Sequence, residues 1–573
     1  MRILFIRQRK SWRKCGTGSI CAQPKSKEEL VMRKRLRTAS FLLIFALLVE
    51  SMTGCGIRKL DQKENAVGTV KSSENGAYDA KGSKVIPGEE MNEEGMPPMD
   101  TEEYNAIAEN RFMQTSLSPL STFSADVDTA SYSNVRRMLR QGKRPEEIPK
   151  GAVRLEEMLN YFHYDYEKPK GDEVFGITID GADCPWEETH GLVRIGIRTQ
   201  DIDFSQSPKS NLVFLLDVSG SMDSPDKLPL LKQAFAMLVE NLGEKDRVSI
   251  VTYAGMERIV LKGARGDEKG RILDALSALE AAGGTYGSAG IKAAYALAEE
   301  NFISEGNNRI ILATDGDLNI GETSESQLKS LVEEKRKSGI YLSVLGFGQG
   351  NLKDNKMEAL ADSGNGNYTY IDSLMEAKRV LVDELGSTLV TVAEDVKLQV
   401  EFNPVWIKEY RLLGYENRLL QAEDFTDDTK DAGEVGAGHT VTVLYEVVWA
   451  GGDDKDKSID LKYQTREPVK GDAKDEWATL KIRYKDPGTS VSKEIQKAFG
   501  ADIYRKEVNA AGMLLEASVA EFGMLLRDSS GKGSASYEHI LGMWNGIAYG
   551  GSEEIEEFLE LVELAWNRAG VKE

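Results

Sequence analysis

Cysteine and histidine are nearly missing from this chain. Of its four cysteines, Cys15, Cys21 and Cys55 fall within the first 55 residues, and Cys184 stands alone in all that follows. A single thiol excludes an intramolecular disulfide framework. Beside Pro185 and Trp186, it reads as a small buried apolar residue rather than a nucleophile. The four histidines, His163, His190, His439 and His539, are scattered. They form no His-x-x-x-His pair and no recognisable Ser/His/Asp set, so neither a zinc hydrolase nor a triad is legible. Basic charge is scarce beyond residue 55. The first 55 residues hold twelve Lys and Arg against three Glu, while the whole chain carries −21, so the remainder carries −30. So acidic a body argues against nucleic acid as a partner.

At 573 residues the chain exceeds one core, and three or four domains are expected. Its one apolar stretch near the start, Ala39–Val49, is eleven residues long. That is too short for a comfortable transmembrane helix and suits a signal peptide, with Arg33-Lys34-Arg35-Leu36-Arg37 as its basic flank. It ends in Met52-Thr53-Gly54-Cys55, which resembles the lipobox of bacterial lipoproteins, although that family prefers Leu at the Met52 position. The resemblance implies cleavage before Cys55 and lipidation of its thiol. It also implies a protein anchored in the cell membrane or outer membrane, facing away from the cytoplasm. Residues 1–55 are therefore assigned as signal peptide and lipobox, with Met32 as an alternative start. Gly56 to Glu109 is polar and aperiodic, and reads as a disordered tether spanning about 40 Å on average.

Composition turns globular at Asn110. Within 110–205, Leu155, Met158, Leu159 and Phe162 mark a helical face. Phe175, Ile177 and Ile179 alternate, as do Val193, Ile195 and Ile197, and each set reads as a half-buried strand. Asp126-Val127-Asp128-Thr129 reads as an acidic helix start. It looks only superficially like the nucleophile loop of haloacid-dehalogenase phosphatases, because no buried apolar strand precedes it. From about 206 to 390, apolar strands alternate with helical patterns, which predicts a doubly wound, mostly parallel α/β sheet. Residues 391–490 switch to two-residue alternation, as in Val396, Leu398, Val400 and Phe402, and predict an antiparallel β domain. Two strands cannot bury a core alone, so 174–200 is expected to pair with it. Residues 491–573 read as a small helical unit.

The central domain opens with Leu212-Val213-Phe214-Leu215-Leu216, then Asp217, Ser219 and Ser221 around Gly220. An apolar run bounded by a turn is a strand buried on both faces, and such sheets bind ligands beyond their carboxyl ends. A second strand, Ile310–Thr314, ends in Asp315, and Gly283-Gly284 precedes Thr285. Together these residues resemble the metal-ion-dependent adhesion site (MIDAS) of von Willebrand factor type A (VWA) domains. The resemblance implies that Asp217, Ser219 and Ser221 ligate a divalent cation directly. Thr285 and Asp315 would complete the shell, and one position would stay open for an acidic group from a protein partner. Oxygen ligands with only two carboxylates suit Mg²⁺, with Mn²⁺ or Ca²⁺ as alternatives.

The wider chain is similar to bacterial YfbK-type lipoproteins over roughly 110–573. The resemblance is carried by Pro119–Ser124, Asp126–Tyr132, Val153–Met158, Ala313–Asp317, Gly414–Arg418 and Asp431–His439. It implies a family-specific N-terminal domain, a VWA domain and a C-terminal domain, but no activity. The expected function is a tethered, non-enzymatic binding module of the cell envelope. A metal-dependent hydrolase and a purely structural envelope protein are the alternatives.

Overall fold

A computed structural model describes residues 101–570, apart from 202–207, 285–286, 317–324, 385–388 and 452–474. Cys55, the signal peptide and most of the tether lie outside the described residues, as does Thr285. Among the described residues, no helix is long and apolar enough to cross a membrane.

Two antiparallel sheets frame the molecule. The chain enters through strands β1 (Met113–Gln114) and β2 (Leu120–Ser124), then helices α1 (Ala130–Arg140) and α2 (Leu155–Asn160). Strands β3 (Phe175–Asp183) and β4 (His190–Thr199) follow, and the chain leaves the frame for some 190 residues. It returns as β11 (Thr391–Phe402), β12 (Ile407–Leu413), β13 (Gly433–Gly436), β14 (Thr440–Trp449), β15 (Glu476–Lys485) and β16 (Ser492–Gly500). One sheet has the order β1-β12-β14-β4-β3; the other runs β13-β11-β15-β16, with β2 also on β11. Val441 of β14 faces Ile197 of β4 across the join, so the early hairpin and the late strands form one sheet. The inner faces of the two sheets share one core, from Val193 and Ile195 to Leu398, Tyr445 and Leu480.

The central sheet occupies the excursion. Its strands are β5 (Ser210–Asp217), β6 (Arg247–Tyr253), β7 (Glu257–Arg265), β8 (Asn307–Thr314), β9 (Ile340–Phe347) and β10 (Tyr368–Ile371). The order is β10-β9-β8-β5-β6-β7, parallel except for the edge strand β7. Helices α3 (Leu228–Glu240), α4 (Lys269–Ser277), α5 (Gly287–Glu300), α6 (Glu325–Arg336), α7 (Asp354–Ser363) and α8 (Leu374–Lys378) complete the unit. Every residue of β5 is buried, because helices cover both faces. Burying each large apolar side chain there contributes about 1.5–3 kcal/mol. This is the doubly wound fold expected from the alternation of strand and helix.

Three expectations need correcting. The polar composition assigns residues 101–109 to the tether, yet they run against the central domain. Thr101 and Glu103 donate backbone hydrogen bonds to Gly350 and Leu352, and Glu102 is ion-paired with Arg137. Strand β4 is not half-buried: on its second face Leu192 joins the helical core, Arg194 pairs with Glu516 of the tail and Gly196 lies against Tyr166. Gly196 is required there, since a Cβ would sit 2.6 Å from the Tyr166 ring. The third concerns the helical tail, α9 (Leu514–Arg527), α10 (Tyr537–Met543) and α11 (Glu553–Arg568). It is not a separate unit but shares one core with α1, α2 and the outer face of β4 and β14. Helix α9 is buried almost all round, so it needs neighbours on every side.

Residues 110–205 thus contribute one hairpin whose sheet is completed by strands beyond residue 390, strands β1 and β2 that pair only there, and helices that pack on the VWA domain and the helical tail. Expressed alone, this segment should show no cooperative thermal transition by circular dichroism. A stable, cooperatively melting fragment would contradict the shared sheet.

Candidate functional site

The site lies where β5 and β8 end together. The strands are parallel neighbours, with Leu216 beside Ala313, so Asp217 and Asp315 leave the sheet at the same edge. This register follows from two short apolar strands packed between helix layers. Asp217 is fully buried. Its Oδ1 accepts from the Ser219 backbone N–H at 2.9 Å, and its Oδ2 accepts from the Thr314 hydroxyl at 3.0 Å. Both oxygens are thus occupied by protein donors, and their role is to fix the loop and place negative charge beneath it. The Ser219 and Ser221 hydroxyls lie 3.0 Å apart. Ser219 is buried and Ser221 exposed, so the pair opens to solvent on one side.

Charge is concentrated there. Burial pushes the Asp217 carboxyl up to about 6; hydrogen bonds from Ser219 and Thr314 oppose that shift, and the neighbouring Asp315 adds to it. The buried Tyr253 ring closes the inner side, its phenol pushed well up by burial and by the Asp217 charge. The second loop docks on the first: the Gly220 N–H donates to the Gly283 carbonyl at 3.0 Å. Gly283 has φ +80°, which a glycine accepts without strain. That contact brings the chain two residues before Thr285 to the serine loop. Two carboxylates, two adjacent hydroxyls and a docked second loop fit a hard divalent cation.

Sequence reasoning missed Lys227. Its Nζ donates to Asp315 Oδ2 at 2.9 Å, with both side chains buried. The lysine stem crosses Gly348, where a Cβ would lie 2.3 Å from it. Gly348 has φ +72°, and its carbonyl accepts from the Tyr370 hydroxyl at 2.5 Å. Lys227 therefore neutralises half of the site's formal charge from within. Nothing in the spacing Asp217–Lys227 announces this, because the contact depends on the β9–α7 turn.

The histidines are engaged elsewhere. His163 contacts Glu384 and Glu554, His190 contacts Glu446, and His539 contacts Glu521. His439 is held down to about 4 by burial and remains neutral. Cys184 is buried and free, and burial pushes its thiol up. The expected acidic helix start is absent: α1 begins at Ala130 with no acid in its first turn. Asp126 and Asp128 are instead buried against Arg418.

Lys227→Met would leave the Asp315 carboxylate without its buried counter-charge. Unfolding in urea with EDTA should show a loss of about 3 kcal/mol. Adding Asp315→Asn to that variant should recover part of the loss, and additivity of the two changes would refute the coupling.

Residues 211–383 match the von Willebrand factor type A domain, and residues 98–194 match a family described as von Willebrand factor. Residues 387–567 match the family described as "Uncharacterized protein YfbK, C-terminal". The uncharacterized protein YfbK of Escherichia coli K12 is 41% identical over 476 residues, covering 81% of each chain. Inter-alpha-trypsin inhibitor heavy chain H3 of Homo sapiens is 28% identical over 197 residues, 32% of this chain and 22% of that one. A solved von Willebrand factor type A protein from Catenulispora acidiphila is 15% identical, with a TM-score of 0.39. It covers 70% of this chain and 91% of its own. The chain belongs to the YfbK family and carries a von Willebrand factor type A domain inserted between the strands of its β frame.

Proposed function

We propose that this chain is a lipid-anchored envelope protein whose VWA domain binds a protein partner through a divalent cation. VWA domains commonly bind divalent metal and mediate protein–protein contacts. The observation that carries the reading is the meeting of Asp217, Ser219, Ser221 and Asp315 at one open sheet edge. Ser219 and Ser221 would hold the ion, with Asp217 and Asp315 supplying charge around them and Thr285 coming from the docked second loop. Mg²⁺ suits a set this poor in carboxylates. The ion supplies a local positive centre on a strongly acidic protein. Because Lys227 already offsets one of the two carboxylates, a bound Mg²⁺ would leave charge for one further carboxylate. That favours a partner presenting Asp or Glu.

Binding is favoured over turnover because three histidines pair with glutamates away from the site, His439 is buried and neutral, and no histidine adjoins the two hydroxyls among the described residues. Asp217→Ala should remove one equivalent of bound Mg²⁺ or Mn²⁺ in calorimetry of the whole chain. It should also abolish Mg²⁺-dependent, EDTA-sensitive capture of an envelope partner, while the far-ultraviolet circular dichroism stays near wild type. Equal metal binding by variant and wild type would remove the adhesion reading.

The anchor rests on Met52–Cys55 following a short apolar run. Cys55→Ala should accumulate as an unprocessed precursor that incorporates no labelled palmitate. A mature wild-type protein still carrying residues 1–54 by mass spectrometry would refute this processing.

A further inference from the structure

A second acidic centre lies away from the VWA metal site, in a cavity of about 220 Å³. Segments far apart in sequence line it: the loop after β2, the turn before β10, the stretch after β12 and the start of β13. Three of them, around Asp126, Arg418 and Glu434, are stretches that carry the family resemblance. Five carboxylates face the cavity, Asp126, Asp128, Asp362, Asp431 and Glu434, against one guanidinium, Arg418.

That guanidinium is shared too widely to balance them. Its closest contact is Asp362 at 2.7 Å, with Asp128 at 3.3 Å, Asp126 at 3.4 Å and Glu358 at 3.7 Å. Arg336 reaches Asp431 at 2.7 Å from outside. Asp126 is 5% exposed, and its Oδ2 accepts no hydrogen bond. Oε1 of Glu434 is likewise buried without a hydrogen bond. A buried carboxylate oxygen that has at most a long ion pair and accepts no hydrogen bond is costly, and groups of this kind are ordinarily satisfied by protein, water or an ion.

The geometry suits an ion. Asp126, Asp128 and Glu157 each offer one carboxylate oxygen, and the three lie within 4.8 Å of one another. Oxygens that share a Ca²⁺ ion at 2.3–2.6 Å can be no more than about 5 Å apart. The carboxylates are held in place independently. The Asp126 Oδ1 accepts from the Asp128 N–H at 3.1 Å, and the Asp128 Oδ1 accepts from the Tyr368 N–H at 2.8 Å. Glu157 is oriented by Arg154 and by the Ser131 N–H at 2.9 Å. Three carboxylates without hydroxyl or imidazole ligands favour Ca²⁺ over Mg²⁺, which prefers few protein ligands and many waters.

We propose that Asp126, Asp128 and Glu157 form a second divalent-cation site, for Ca²⁺, that ties the loop after β2 to helix α2 beneath Arg418. The site is distinct from the VWA metal site in residues and in ion preference. Its place is structural: the ion supplies positive charge beyond what Arg418 and Arg154 bring to these acids.

Calorimetry and thermal unfolding of the full chain carrying Asp217→Ala, which removes the VWA site, test it. Ca²⁺ should bind that protein with one equivalent, with a dissociation constant on the order of 10⁻⁵ to 10⁻⁴ M, and raise its melting temperature. Adding Asp126→Asn and Asp128→Asn should weaken Ca²⁺ binding by about a hundredfold or more and remove the thermal shift. Absence of Ca²⁺ binding and of any thermal shift in the Asp217→Ala protein would overturn the proposal, whether or not the further variants fold. Unchanged Ca²⁺ affinity in the triple variant would overturn it equally. The VWA reading is judged separately, by the metal equivalent that distinguishes wild type from Asp217→Ala.

Discussion

Buried ion pairs fasten the VWA domain to the frame that surrounds it in sequence. Arg154, at the start of α2, reaches Asp354 on α7 at 2.6 Å and also holds Glu157. Arg136, on α1, takes Asp372 at 2.5 Å and Glu376 at 2.8 Å, and reaches Glu557 on α11 at 3.0 Å. Arg418, from the stretch after β12, takes Asp362 at the end of α7. Each guanidinium is almost fully withdrawn from water and meets several acids at once. Removing one partner from such a pair costs about 3–5 kcal/mol, because the other charge is left buried. The pairs therefore fix orientation, since hydrophobic faces could slide where these cannot.

That rigidity bears on the edge where Asp217 and Asp315 emerge. The VWA sheet contributes its carboxyl edge as a fixed platform, and the serine loop is held from below by Thr314 and from the side by Gly283. Lys227 crosses Gly348 to Asp315, so the third loop is pinned without any ion. The platform's charge is thus set by three elements at once: β5, β8 and the turn after β9. A single loop could not hold two carboxylates and an ammonium so close at so little exposure.

The same economy explains why α9 is buried nearly all round. It lies among α2, α10 and the β4–β14 face, and it supplies Glu516 and Arg527 as buried partners for Arg194 and Glu416. The polar face that a surface helix would show to water is here turned to ion pairs inside the protein.

How much of this the residues announce differs from place to place. The strand Leu212–Leu216 followed by Asp217-x-Ser219-x-Ser221, and Ile310–Thr314 followed by Asp315, spell the central sheet and its site, because period and turn chemistry are local. The alternation in Val193–Ile197 and Val441–Val447 spells strands for the same reason. What is not local is invisible: that β4 is covered on both faces, that residues 101–109 leave the tether to lie along the VWA domain, and that α9 closes a core begun by α1 and α2. Lys227 and the Asp126–Asp128–Glu157 cluster belong to that second class, since charges on separate elements meet only after the chain has folded. By itself the sequence determined the elements, the VWA platform and the residues at its edge. Only the tertiary structure decided which buried charges face one another, because that depends on packing between segments and not on spacing along the chain.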